Sequence, residues 1–163
     1  MNIREVERVI VRGLEGYLSA ENRPFKLVLA NLNTPIPKYP YGAYTPIQAV
    51  VENNGTYGVE EDGTRAKQYD STFSFTFQSD DVDESVSLAI KAVRWFSAVG
   101  TVYLSDNGIS VKNVSSVTNR DNLISIEYEY RNGFDVTLTL LDVISDDEFK
   151  ATGYIEQADV TNV

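Results

Sequence analysis

Near the start of the chain apolar residues recur at steps of three and four. Ile3, Val6, Val9, Ile10, Leu14, Tyr17 and Leu18 fall on one side of a helix over roughly residues 2 to 20. The other side of that helix carries Arg4, Arg8 and Arg12 at i, i+4 spacing, with Glu5 and Glu15 beside them. Three like charges in such a row repel mildly. The stripe is therefore either a solvated face or a contact for an acidic neighbouring subunit.

Phe25 to Asn31 is a short β-rich run, and Asn31 to Tyr41 then places three prolines within six residues. Proline fixes φ and lacks an N–H, so this stretch is neither helix nor inner strand but an extended, partly preordered connection. It either packs on its own domain through Tyr39 and Tyr41 or meets another subunit. Ala43 to Glu52 reads as a strand. Asn53 to Ala66 carries turn residues and charge without apolar periodicity, as a mobile loop or hairpin tip does.

From Tyr69 the pattern alternates strictly. Phe73, Phe75 and Phe77 face one way and Ser74, Thr76 and Gln78 the other, which makes this the clearest half-buried strand. Ser79 or Asp80 is placed to cap the helix that follows, and Asp81, Asp83 and Glu84 suit the positive end of its dipole. That helix is expected to run to Val99 and stop at Gly100. Its main stripe is Val82, Val86, Ala89, Val93 and Phe96, while Leu88, Trp95 and Val99 widen the apolar face. Such breadth means two neighbours: the helix is sandwiched between sheet and first helix, or Leu88 and Trp95 anchor an oligomer interface.

The last third reads as strands over Ile109 to Thr118, Leu123 to Tyr130 and Phe134 to Ile144. Asn132-Gly133 is a strong hairpin signal because the pair readily takes the positive φ angles of a type I′ turn, so the second and third of these strands are expected to pair with each other. The charged stretch Asp146 to Glu148 then leads to a short strand near Tyr154 to Val160. No repeat or linker divides the chain, and residues 1–163 are expected to form a single α+β domain, a mostly antiparallel sheet with two helices packed against it. Residues 146–163 form a peripheral strand or tail.

Composition narrows the chemistry. The 163 residues include neither cysteine nor histidine, which removes disulfides, thiolate metal sites, cysteine nucleophiles and the commonest general base near neutral pH. No Walker loop or dinucleotide-binding glycine pattern is present, and the acids at residues 80–84 lack the spacing of a calcium loop. The expectation is a protein that is not an enzyme and holds no cofactor or metal. Its formal charge of −10, from 24 acids against 14 bases, disfavours tight binding to phosphate backbones and anionic membranes. No basic and apolar leader opens the sequence and no apolar run approaches the roughly 18 residues of a membrane span, so it reads as soluble and cytoplasmic.

Three stretches resemble the neck or tail terminator family of long-tailed phages. The asparagine- and proline-rich connection Asn31 to Tyr41 is similar to the segment after that family's first strand. Thr72 to Phe77 with the helix beyond it resembles the middle strand and second helix. Ile126 to Val136 resembles the closing hairpin, in which an acidic or aromatic strand ends in an arginine and restarts with an aspartate. Together they cover about residues 1 to 145, and residues 53 to 66 have no clear counterpart. The resemblance implies a virion structural protein that forms a homo-oligomeric ring, a hexamer, on the end of the tail tube. The ring stops tail polymerisation and joins the head-completion or connector protein, and DNA passes its lumen without specific binding. Assembly would take place in the host cytoplasm. Subunit contacts are then expected at Arg4, Arg8, Arg12, Asn33, Pro35, Pro37, Tyr39, Tyr41, Leu88 and Trp95. Rival readings are another ring component of the neck or tail, or a small-ligand or peptide-binding module using the tyrosine-rich sheet.

Overall fold

The computed structural model describes residues 2–19, 23–30, 35–52, 55–121 and 129–151. In chain order they form α1 (Ile3–Leu18), β1 (Leu27–Leu29), β2 (Tyr41–Glu52), β3 (Gly58–Val59), β4 (Arg65–Ser79), α2 (Val82–Arg94), a π-helical turn (Trp95–Val99), α3 (Thr101–Asp106), β5 (Ile109–Val114), β6 (Thr118–Asn119), β7 (Tyr130–Ile144) and α4 (Asp146–Ala151). The class is α+β, as expected. Four helices accompany the sheet instead of two.

The sheet runs β1-β2-β4-β7-β5, with β3 against one end of β4 and β6 against one end of β7. Among the described strands only β1 and β2 pair in parallel. The spine is the antiparallel pair β4 and β7, in register from Arg65↔Ile144 to Ser79↔Tyr130. β1 pairs β2 only at Gly42–Tyr44, and beyond it Pro46 and two breaks around Gln48 in the register between β2 and β4 are features that blunt an edge against indiscriminate pairing.

Every second residue of β4 and β7 faces the helices. Phe73, Phe75 and Phe77 and, on β7, Phe134, Val136, Leu138 and Leu140 are buried there. Phe75 stacks on Phe134 at 5.8 Å between ring centroids and meets Phe96 at 5.1 Å. Burying each such side chain contributes roughly 1.5–3 kcal/mol. Helix α1 begins with a capping box at Asn2 and Glu5 and closes this core with Val6, Ile10 and Leu14, as its periodicity predicts.

Helix α2 departs from expectation in three ways. Its N-cap is Asp81, whose side chain accepts from Glu84 N. Ser79 acts one step earlier, its Oγ accepting from Asp81 N at 3.1 Å and donating to Glu84 Oε2 at 2.6 Å. The buried stripe is Ser85, Leu88, Ala89 and Ala92, rotated from the expected one, and Val82 is exposed. Small residues let the helix approach the sheet closely, where Ser85 Oγ donates to Phe77 O and accepts from Asn132 Nδ2. The helix also does not end at Gly100. A π-turn bond from Gly100 N to Trp95 O turns both Trp95 and Phe96 into the core, and α3 continues to Asp106. Gly108, at φ +72°, ends the run and turns the chain into β5.

Gly100 and Gly13 together make room for Trp95. A Cβ at either position would strike the indole. Trp95 is 3% exposed and Leu88 8%, so both belong to the chain's own core. Of the two readings for the broad helix, this burial fits the sandwich, and Leu88 also lines a cleft of about 180 Å³ beside Leu18, Phe25 and Lys91.

The expected hairpin at Asn132-Gly133 is overturned. Both residues lie inside β7, opposite Phe77 and Thr76 and next to β6. Glycine is needed at 133 for close approach, since a Cβ would drive into the Phe75 carbonyl oxygen and the Arg120 side chain. The strand expected over Leu123 to Tyr130 falls largely outside the described residues, as does the one near Tyr154 to Val160. Residues 146–151, read as a charged lead into that strand, form α4.

Candidate functional site

The helices cover only part of the sheet, and several surfaces remain for contact. The first is the helix-free face. Its charges are neutralised in pairs: Asp70 with Lys112, Asp135 with Arg120, and Glu129 with Arg131. Between them lie hydroxyls, with Thr72 and Thr137 3.1 Å apart and Thr139 donating to Asp70. Burial raises the Asp135 carboxyl, but hydrogen bonds from Arg120 and Ser74 outweigh it and hold the group below its ordinary range. Arg120 lies over Gly133 and reaches Ser74, Phe75 O and Thr76. This is a polar wall whose charges are paired with one another.

The second surface is an arm. Beyond the helical layer the distal halves of β2, β4 and β7, with β3, continue as a projecting ribbon ending in the turn Glu60–Gly63. Gly63 takes φ +83° there, and Asp62 holds the turn through Thr64 N. Those same hydrogen bonds, the backbone one foremost, lower the Asp62 carboxyl. Ile47, Val50, Val59, Leu141 and Val143 are exposed on this ribbon. At the arm's base Ile3, Val50, Tyr57 and Tyr69 line a groove of about 410 Å³, and Tyr57 Oη donates to Asp142 at 2.6 Å. At the tip α4 docks through Arg65, which sits 3.4 Å over the Phe149 ring. The sequence signal for the arm was the charged stretch 53–66, which had no counterpart in the resemblance.

The third surface is the outer side of α1 and β1. Here a groove of about 550 Å³ is rimmed by Arg4, Arg8 and Arg12 and floored by Val11, Leu27 and Tyr44. Glu15 Oε1 accepts from Leu27 N at 2.8 Å, occupying a donor on the sheet's edge. The three guanidinium groups make no ion pair among the described residues. Burial, then the carboxylates of Glu7 and Glu15, push the Tyr44 phenol up.

The proline-rich connection closes a cleft of about 340 Å³ against β1 and the helix-free face, lined by Pro35, Ile36, Pro37, Tyr41, Gln78 and Arg131 among others. Ile36 is 77% exposed. Tyr39 and Tyr41 stack at 5.8 Å, and the Tyr39–Pro40 bond is cis. Gln78 Oε1 and Arg131 Nε are buried without a hydrogen-bond partner among the described residues. The structure thus brings Arg4, Arg8 and Arg12 onto one groove and Pro35, Pro37, Tyr39 and Tyr41 onto one segment. Asn33 lies outside the described residues.

Among the described residues no group of three or more acidic, histidine or cysteine side chains is arranged to hold a metal ion, and no described helix is long and apolar enough to cross a membrane. A search of curated proteins finds no match to the chain. A family model described as phage neck terminator protein matches residues 3–163.

Proposed function

The chain belongs to the phage neck terminator protein family, and from that membership we propose that it caps the end of the tail tube as a ring. A neck protein is a part of the virion and associates with other tail and head proteins. In the finer reading, six copies close on the last tube subunits, stop polymerisation and offer their other face to the head-completion or connector protein. Assembly takes place in the host cytoplasm. The match across residues 3–163 carries this reading.

The role is geometric and calls for no catalytic residue: a closed ring with two different faces and one repeated subunit contact suffices. A chain without histidine or cysteine fits that role better than an enzymatic one. The exposed arm, the arginine-rimmed groove and the cleft under the proline-rich segment are the surfaces on which such contacts would form. The net charge of −10 keeps the DNA backbone from adhering to the ring it passes through.

Electron microscopy of particles made without this protein tests the reading. Overlong tails without heads are expected. Full-length tails of normal length, or empty heads with no tails, would assign the protein to another step of neck or tail assembly.

A further inference from the structure

The arm tip and the α1 groove carry opposite charge. The turn at the tip presents Glu60 and Glu61, and α4 beside it adds Asp147; none of these carboxylates has a partner among the described residues. Val59, immediately before the turn, is 66% exposed. The groove reverses this arrangement, with Arg4, Arg8 and Arg12 unpaired on its rim above an apolar floor. Glu15 is already committed to Leu27 N, which leaves Glu7 as the one uncommitted acid among the groove's described lining residues.

We propose that the arm of one copy seats in the α1 groove of the next, with Val59 over the apolar floor and Glu60 and Glu61 against the arginines. The two surfaces are different parts of the same chain, so the contact is head-to-tail and propagates from copy to copy, closing into a ring when the rotation allows. Burying Val59 removes an apolar side chain from water. The carboxylate–guanidinium pairs fix the register and discriminate against wrong partners, because like charges set face to face in an interface are strongly unfavourable. The proposal rests on the ring reading above only in placing copies side by side.

The absence of native cysteine makes the test clean. Arg8→Cys and Glu61→Cys are made singly and together in the full chain and treated with a short bis-maleimide linker at low salt. The double variant should give a ladder of covalent multimers, the two single variants mixed should give only their cross-linked dimer, and each single variant alone should give no multimer. In parallel, reversing Arg4, Arg8 and Arg12 to Glu should weaken self-association, measured by sedimentation, by roughly tenfold or more. Adding Glu60→Arg and Glu61→Arg to that variant should restore it. Asp62 is left in place to keep the turn.

Cross-linking of a single variant to itself would mean a two-fold contact and overturn the head-to-tail arrangement. Reversed variants that assemble as well as the parent, with unchanged tail capping, would overturn this interface and leave the ring reading standing. A chain that stays single both in solution and on tail-tube ends would overturn both.

Discussion

Strands β4 and β7 pass through two environments. In the body, Phe73, Phe75 and Phe77 and their partners on β7 lie under α2 and are fully buried. In the arm, the same pair of strands continues in the same register from Arg65 to Gln68 and from Leu141 to Ile144, but only α4 docks there, through Arg65, and Leu141 and Val143 are exposed. Pairing is identical and burial differs. Hydrogen-bonded pairing alone therefore says little about where stability resides. In the body it comes from the helix–sheet core, whereas the arm's exposed apolar residues contribute only once something covers them.

The sharpest way to break this contrast is to remove core volume. Phe75→Ala and Trp95→Ala should each lower the unfolding free energy by about 3–5 kcal/mol, the range for truncating a buried aromatic, as read by denaturant titration. Assembly by the fraction that stays folded should persist in the Trp95 variant, because the indole faces Gly13, Gly100 and Tyr103 within the chain. A Trp95→Ala protein of unchanged stability that no longer assembles would move the residue from core to interface.

Next in size is Gly133→Ala. The added methyl meets the Phe75 carbonyl and the Arg120 side chain, and overpacking of this kind costs about 1–3 kcal/mol. This is also where local signals misread the chain. Asn-Gly is a good turn in isolation, but the fifteen-residue ladder between β4 and β7 outweighs a two-residue preference, and the glycine serves close approach instead. Gly100 was misread for a similar reason: it resembles a helix stop, yet its missing side chain accommodates Trp95. Periodicities of α1 and of Phe73 to Phe77 were legible because one long amphipathic pattern repeats a single instruction. The arm was legible only as a loop or hairpin tip at its charged turn, since the exposed apolar residues beside that turn look locally like any loop. Of the candidate contacts, the arginine stripe and the proline-rich segment could be found from charge and proline spacing. Leu88 and Trp95 could not be assigned, because a broad apolar face reads alike whether its second neighbour is the same chain or another.

The arm itself should respond in the opposite sense. Leu141→Ser with Val143→Ser should leave the stability of the single chain within about 0.5 kcal/mol, as exposed substitutions generally do, while reducing self-association in sedimentation. A large loss of stability in this variant would mean that the arm is held by the body after all, and the contrast between the two halves of the sheet would disappear.

The smallest expected effect lies where the proline-rich segment meets the sheet. Tyr41 is buried there, its phenol pushed up to about 12 by burial first and then by Glu129 and Tyr39. Its hydroxyl donates to Glu129 at 3.4 Å. Below pH 10 the phenol is protonated in both folded and unfolded chains, so its contribution is fully present. Between about 10 and about 12 the unfolded chain releases the proton and the folded one retains it, so stability falls across that window. Tyr41→Phe should remove this part of the alkaline slope and leave stability near neutral pH almost unchanged. A Tyr41 that ionises with the exposed tyrosines in an absorbance titration would show that the segment does not shield it. The connection would then be as open as the arm, and the boundary between covered body and uncovered surface would have to be redrawn at Tyr39.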